Sequence, residues 1–200
     1  MKTTCTPSDQ IAELLVHLGR SARCEDAGSC LTAAQWTCLR FFARATRNSC
    51  TPSAFARFQA TTRGTASQII KTLEGKGLIA RRRSETDKRS VLFEVTEAGR
   101  AVLSDDPLGE LVFAIDRLDP AMREVFLAAL SHVAEGLGAL RGTSAFGTCA
   151  DCTHFSEAGC GGYCACAAAA LAPTEIGKLC ANHNRDAADC AAPQLKRPPQ

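Results

Sequence analysis

Residues 51–95 constrain the fold of this chain more than any other part of the sequence. Thr51 and Pro52 begin a short helix, because proline at the first helical position loses no hydrogen bond. A second helix follows the polar turn 61–64, and Gly77 ends it by adopting the left-handed conformation that helix C-termini favour. Two strand-like runs, 78–83 and 91–95, then predict a β-hairpin whose connecting segment is charged.

Helical patterns flank this segment on both sides. Ser8 can cap a first helix that has one apolar face, and Thr32 begins a second that contains Trp36 and Phe42. After the hairpin, residues 96–100 open another helix, which the segment 105–107 interrupts before Asp119 and Pro120 begin a long final helix. The predicted fold is mainly α with a small β-hairpin wing. Helices followed by a basic hairpin have the order of a winged helix-turn-helix.

Positive charge is concentrated in the same region. The formal net charge is only +2, but residues 57–89 carry nine basic side chains against three acidic ones. From residue 90 onward the balance reverses, with eight basic and fourteen acidic side chains. A short segment therefore presents the positive field that a polyanion such as DNA would attract.

The ordered motifs of residues 8–141 resemble the MarR family of transcriptional regulators. The resemblance is carried by residues 65–68, 73–81, 87–91 and 96–100. It implies a homodimer with intertwined first and last helices, which places two recognition helices on a pseudo-palindromic operator in double-stranded DNA. The apolar stripe from Met122 to Leu140 agrees, because it needs a partner surface and the apolar positions of residues 11–18 offer one.

Roles in DNA binding follow from residue chemistry and from the resemblance. Exposed polar residues of the recognition helix should face the major groove, where an amide can pair with adenine and a lysine can reach guanine; they are Thr65, Ser67, Gln68, Lys71 and Thr72. Arg89 resembles the DNA-contacting arginine of the family wing, and Asp87 the acid that orients that turn. Arg81, Arg82 and Lys88 are expected to meet phosphates.

The 12 cysteines indicate a metal site rather than disulfides. Residues 1–9 have no apolar core of the kind that a secretory signal needs, and no apolar run is long enough to span a membrane, so we expect a cytoplasmic, reducing location. Cys38 is expected to be a small buried hydrophobe, whereas Cys24, Cys30 and Cys50 are expected to be more exposed. Seven cysteines fall between residues 149 and 190 and form a cluster in the sequence.

This cluster resembles a C-terminal extension found on some MarR-like regulators. The match selects Cys149, Cys152, Cys164 and Cys180 as ligands, and it leaves out Cys160, Cys166 and Cys190. Four thiolates suit either an iron–sulfur cluster or zinc. The irregular spacing favours a [4Fe–4S] cluster, with zinc as the alternative and metal-free thiols as a third case. His154 or His183 could replace one cysteine.

The resulting organisation has four parts. Residues 1–30 and 97–141 form a helical dimerisation region, 31–96 the winged helix-turn-helix, 142–190 the cysteine-rich module and 191–200 a disordered tail. The module follows a linker that starts at Gly142 and includes Gly147 and Thr148.

These features predict a repressor that is not an enzyme, since no catalytic arrangement of Ser, His and Asp or of paired carboxylates stands out. Its metal would sense redox state or iron and act on operator affinity through the adjoining dimer helix. The alternative is a regulator that responds to a small aromatic ligand and has a structural zinc site.

Overall fold

The computed structural model of the chain describes residues 6–22, 30–83, 91–142 and 146–184. Within these residues it contains helices, two antiparallel sheets, and 3₁₀ turns at Arg47–Ser49 and Cys149–Asp151. The helices are α1 (Pro7–Ser21), α2 (Ala33–Arg44), α3 (Pro52–Phe58), α4 (Arg63–Gly75), α5 (Glu97–Leu103), α6 (Leu108–Asp116), α7 (Pro120–Arg141) and α8 (Pro173–Ile176). The strands are β1 (Ile79–Arg83), β2 (Val91–Val95), β3 (Phe155–Ala158), β4 (Gly161–Cys164) and β5 (Ala169–Leu171). The predicted mainly helical fold with a small hairpin is confirmed.

Side-chain caps set the starts of the helices. Thr32, Thr51 and Asp119 each accept a backbone N–H of the first turn, which confirms the predicted starts of α2, α3 and α7. The predicted cap at Ser8 is wrong. Thr6 caps α1 instead, because its hydroxyl accepts the Asp9 N–H at 3.2 Å while the Asp9 carboxylate accepts the Thr6 N–H at 2.8 Å.

The hydrophobic core lies among α2, α3, α4 and the β1–β2 hairpin. Its largest fully buried side chains are Leu39, Phe41, Phe55, Leu73 and Ile79. Contacts between α3 and α4, and of α2 with α4 and β2, join these elements into one body. The helix-turn-helix therefore has a rigid scaffold of its own.

The hairpin is attached to this core at its root. β1 and β2 pair antiparallel, with Ile79 opposite Val95 and Arg83 opposite Val91. Gly77 has φ +70°, which lets the chain leave α4 and enter β1. The Phe93 N–H donates to the Cys50 carbonyl oxygen at 2.9 Å, so the hairpin is also bonded to the segment between α2 and α3.

Helices α1, α6 and α7 leave large apolar side chains exposed to solvent in the single chain. Leu14 is 58% exposed, Phe113 66%, Val125 69% and Leu127 67%. Scattered apolar surface is normal, but so many large exposed apolar side chains on three helices indicate a surface that a partner covers. Among the described helices, none is both long enough and apolar enough to cross a membrane.

The C-terminal segment forms a small folded unit. Its sheet has β4 in the centre, with β3 and β5 antiparallel on either side. Gly147, which the sequence placed in a linker, pairs with Cys180 instead, and its carbonyl oxygen accepts the Cys180 N–H at 2.8 Å. The predicted disordered tail 191–200 lies outside the described residues.

Candidate DNA interface and cysteine module

Helix α4 is attached to the core by one face and exposes the other. Ala66, Ile70 and Leu73 are buried in the hydrophobic cluster, because they recur at the spacing of a single helical face. All five residues predicted to read the major groove are exposed on the remaining surface of the helix. They are Thr65, Ser67, Gln68, Lys71 and Thr72.

Three of these side chains are free to bind a base edge. Thr72 Oγ1 donates to the Gln68 backbone carbonyl at 2.9 Å, and Thr65 Oγ1 lies near the hydroxyl of the capping threonine. Within the described part of the chain, Ser67, the Gln68 amide and Lys71 have no such partner. The arrangement suits hydrogen bonds to adenine and guanine in the major groove.

The wing strands carry arginines that are paired loosely. Arg81 lies 3.3 Å from Glu74, and Arg82 lies 3.3 Å from Glu94. These pairs are solvent-exposed and therefore weak, so a phosphate can replace the carboxylate at little cost. The other predicted wing residues lie outside the described residues: Asp87, Lys88 and Arg89.

The cysteines of the core differ in exposure from each other. Cys38 is fully buried, which confirms the prediction, and Cys30 is exposed, as expected. The expectation for Cys50 is wrong, because the side chain is buried beneath the hairpin root and its thiol lies 3.7 Å from the Phe42 carbonyl oxygen. Burial raises the pKa of Cys50 to about 11. Cys24 lies outside the described residues.

The module brings the four predicted ligands into one neighbourhood. Cys149 and Cys152 share a 3₁₀ turn in which the Cys152 N–H donates to the Cys149 carbonyl at 3.2 Å. Cys164 ends β4, and Cys180 pairs with Gly147 beside that turn. Burial raises the pKa of Cys149 to about 11, and the thiols of Cys180, Cys152 and Cys164 contribute to the rise. Each of these three thiols therefore lies close enough to Cys149 to affect its ionisation.

The donor set fits a thiophilic metal by its chemistry. The four cysteines come from three segments of the module, and thiolates are the preferred ligands of zinc and of iron–sulfur clusters. The described residues contain no group of three or more His, Cys, Asp or Glu side chains that is already spaced to hold a metal ion. Binding would require the thiols to move closer together.

The module contains three further cysteines that were not predicted to be ligands. Cys166 is exposed, and its pKa is raised by partial burial and by the thiols of Cys164, Cys180 and Cys152. Cys160 is exposed in the β3–β4 turn. Cys190 lies outside the described residues.

The two candidate histidines lie in different surroundings. His183 is buried, and its Nε2 lies 3.3 Å from the Asp151 carboxylate. His154 is partly exposed, and its backbone carbonyl accepts the Ala165 N–H at 2.8 Å.

Backbone hydrogen bonds fasten the module to the helix-turn-helix. The Leu179 N–H donates to the Arg44 carbonyl, and the Leu179 carbonyl accepts the Thr46 N–H, both at 2.8 Å. The Ala181 N–H donates to the Ser49 hydroxyl at 2.9 Å, and Ala181 is buried in the core. Leu179, next to Cys180, thus forms a parallel β-bridge with Ala45, which directly follows α2.

A carboxylate adds a charged contact to this junction between the module and the helix-turn-helix, which we call the seam. Glu175 in α8 accepts the backbone N–H of Arg47 at 3.0 Å and the Lys178 ammonium at 2.5 Å. Burial opposes ionisation, but these hydrogen bonds outweigh it and hold the pKa of Glu175 below its usual value. The carboxylate is therefore charged when it binds this turn.

Aromatic packing closes the contact between the two units. The Phe146 ring lies edge-on to Phe58 at 5.1 Å and to Phe41 at 6.1 Å between centroids. The Arg57 guanidinium lies 5.9 Å from the Phe146 centroid and donates to the Ala181 carbonyl. Sequence reasoning missed this seam, because its partners lie more than 80 residues apart and no local pattern pairs them.

A cavity of about 530 Å³ lies between α1, α2, α6 and the module. Its lining includes Arg40, Arg44, Phe41, Phe58 and Leu111. Arg40 forms an ion pair with Asp106 at 2.6 Å, and both side chains are about nine-tenths buried. The cavity combines aromatic surface with Arg44, whose guanidinium could meet an anionic group.

Comparisons with known proteins agree with this architecture. A model of the MarR family matches residues 31–90, from the start of α2 through β1 and the segment that follows it. No curated protein was found to match the chain.

Solved structures are similar over most of their own length. MepR of S. aureus in complex with DNA has 19% identity and a TM-score of 0.54, and the match covers 68% of this chain and 99% of MepR. A MarR transcriptional regulator from Methanosarcina mazei Go1 has 20% identity and a TM-score of 0.51, with coverages of 66% and 96%. FabT of Streptococcus pneumoniae in complex with DNA has 23% identity and a TM-score of 0.50, with the same coverages. These likenesses establish the fold.

Proposed function

We propose that this chain is a DNA-binding transcriptional regulator of the MarR type and not an enzyme, and that it acts as a homodimeric repressor whose cysteine module controls operator affinity. The module would hold a [4Fe–4S] cluster through Cys149, Cys152, Cys164 and Cys180. Such a cluster, when bound, would supply sensitivity to oxidants and to the supply of iron.

The position of Cys180 carries this proposal. Its neighbours in the chain, Leu179 and Ala181, are both hydrogen-bonded to the α2–α3 region. Any ligation that pulls the Cys180 thiol toward Cys149 must therefore act on the backbone that supports the helix-turn-helix. An effector alters affinity only if it interacts differently with two states of the protein. This seam is a more direct route than the dimer helix that the sequence suggested.

The homodimer is supported by the unpartnered faces of α1, α6 and α7. Their exposed apolar side chains would be buried against a second copy, at roughly 25 cal/mol for each Å² removed from water. A twofold axis would then present two copies of α4 to half-sites about one helical turn apart. A pseudo-palindromic operator would mirror that symmetry.

Anaerobic purification followed by metal analysis and an absorption spectrum tests the cofactor. We expect a brown protein that contains iron and sulfide. Serine at Cys149, Cys152, Cys164 or Cys180 should each remove the metal. Cys160→Ser is the matched control, because that thiol is exposed in the same module; Cys166→Ser and Cys190→Ser should also retain it.

Titration of operator DNA with metal-loaded and metal-free dimer, at one salt concentration, tests whether the module regulates operator affinity. We expect different affinities for the two forms. Equal affinities would contradict regulation by the module and would leave the module with a purely structural role. A colourless protein that contains zinc would contradict the cluster.

Arg89 provides an independent test of DNA binding by the wing. Arg89→Ala should weaken operator binding by about 1–3 kcal/mol, the scale of a good groove contact. Arg117→Ala is the control, since Arg117 lies on the helical part near Phe113. An affinity that Arg89→Ala does not change would refute the assigned role of the wing.

The second candidate is regulation by a small aromatic ligand, with a structural zinc in the module. The cavity lined by Phe41, Phe58 and Arg44 favours it, because it offers apolar walls and a cation in one space. Calorimetric titration with benzoate tests it. Binding that an Arg44→Gln variant loses, together with release of operator DNA, would support this candidate over metal sensing.

A further inference from the structure

A second polar cavity opens beside the start of α4. Its volume is about 710 Å³, and its walls come from the α2–α3 segment, α3, the α3–α4 turn, the end of α7 and the cysteine module. Arginines 57, 63 and 141 line it together with Asn48, Ser53 and Asn182. No acidic residue is among its lining residues in the described part of the chain. We call this surface the flank cavity.

The three arginines of the flank cavity are not neutralised. Arg57, Arg63 and Arg141 are all exposed, and none has an acidic partner among the described residues. Arg81 and Arg82 on the wing, by contrast, face Glu74 and Glu94. The flank cavity is therefore a stronger local source of positive potential than the wing strands.

The flank cavity is continuous with the exposed face of α4. Arg63 is the first residue of that helix, and Thr65 follows two positions later on the predicted reading face. A duplex whose major groove received α4 would carry its sugar–phosphate backbone past this opening. Asparagine and serine side chains also bind phosphate oxygens, as does arginine.

We propose that the flank cavity is a second DNA contact, which binds the phosphodiester backbone beside the groove, and that the cysteine module contributes Asn182 to it. The proposal rests on the proposed function, because it assumes that α4 enters DNA. Exposed cations hold a single small anion weakly, whereas a polyanion gains from the release of several counterions at once. The module would thus touch DNA as well as control it.

Two sets of variants test the proposal in the full-length dimer. The first is Arg63→Gln with Arg141→Gln, and its control is Arg20→Gln with Arg117→Gln, which removes the same charge from exposed sites outside the cavity. Loss of two phosphate contacts in each protomer, four in the dimer, should make the slope of log K against log salt shallower by about 3.6, that is about 0.9 for each contact. The change should be the same on operator and on unrelated DNA. The control should keep the wild-type slope.

The second set isolates the module. Asn182→Asp places a negative charge in the cavity, whereas Asn184→Asp makes the same change two residues away, outside the lining. We expect Asn182→Asp to weaken DNA binding by about threefold to tenfold near 0.1 M salt, and Asn184→Asp to leave it unchanged. The comparison of Asn182→Asp with Asn184→Asp tests the flank contact even if the double arginine variant fails to fold.

The possible results separate this inference from the proposed function. Wild-type protein that binds an operator, with both variant sets showing wild-type affinity and slope, would overturn the flank contact and leave the function standing. Weaker binding to the operator with an unchanged slope would also overturn it, since the residues would then act by orienting α4. A wild-type dimer that binds no DNA would refute both.

Discussion

Gly99 lies where the chain passes directly over the Leu78 carbonyl oxygen. A Cβ atom at this position would be 2.1 Å from that oxygen and 2.7 Å from Val95 Cγ1. The Leu78 carbonyl also accepts the Thr96 N–H at 3.1 Å, so it cannot move without disturbing the root of the hairpin. Only glycine fits here, and the start of α5 is thereby held close to the end of α4.

Gly99→Ala should therefore lower the free energy of unfolding by about 1–3 kcal/mol, the usual cost of overpacking. The control is Gly75→Ala in α4, where a Cβ would meet nothing within 4 Å. That change should be neutral or stabilise the protein by up to about 1 kcal/mol, because alanine loses less backbone entropy than glycine. Denaturant unfolding measures both. Equal effects of the two substitutions would contradict the close approach at Gly99.

The thiols outside the module should differ in chemical reactivity. Burial raises the pKa of Cys38 far above its ordinary value and that of Cys50 to about 11, whereas Cys30 is exposed. Since the thiolate is the nucleophile, iodoacetamide at pH 8 should modify Cys30 well before Cys38 or Cys50. Peptide mass spectrometry over time measures the order. Early modification of Cys50 in folded protein would show that its burial is wrong.

At the scale of elements, the seam between α8 and the α2–α3 turn decides whether the module and the helix-turn-helix act together. Glu175 contributes its charge to that seam, and its pKa is lowered on folding because Lys178 and the Arg47 N–H bind the carboxylate. A lowered pKa means that the contribution is complete above the ordinary value of about 4.5 and is lost as the pH falls through the folded-state pKa.

Glu175→Gln should accordingly lower stability by about 1 kcal/mol at pH 7, the scale of one hydrogen bond to a charged group in a half-buried site. The difference from wild type should close as the pH falls below about 4.5. Glu157→Gln is the control, because Glu157 is exposed in β3 of the same module. A loss of stability at pH 7 that persists unchanged at low pH would contradict an electrostatic origin.

At the scale of the whole molecule, the chain divides into a part with its own core and a part that lacks one. Helices α2, α3 and α4 bury their apolar faces against each other and the hairpin. Helix α7 has 22 residues, yet Gly138 is its only buried residue among those described. A helix of that length with exposed Val125, Leu127 and Val133 is stable when a second surface covers it.

Val125→Glu should convert the proposed dimer to monomer, because its interface would then bury an unpaired carboxylate. The control Glu124→Lys changes charge on the same helix at a residue that is already polar. Sedimentation velocity at micromolar concentration measures the mass. The monomer should also bind the operator far more weakly, since it engages one half-site at a time. A dimer that survives Val125→Glu would place the interface elsewhere.

Local sequence rules determined the starts of α2, α3 and α7, the hairpin and the orientation of α4. Thr32, Thr51 and Asp119 bond to backbone within three residues of themselves, so their caps could be predicted from nearest neighbours alone. The apolar positions of α4 recur on one face, so its polar face was predictable as well. The cap of α1 was misplaced by two residues, because Ser8 and Thr6 both offer a hydroxyl and only the reciprocal bond with Asp9 distinguishes them.

The tertiary structure alone decided where the module lies and that Cys50 is buried. Leu179 pairs with Ala45, and Ala181 meets Ser49, across more than 130 residues of chain. Cys50 is buried because the hairpin root closes over it. Such contacts depend on the closure of long loops, and no short-range pattern in the sequence specifies them.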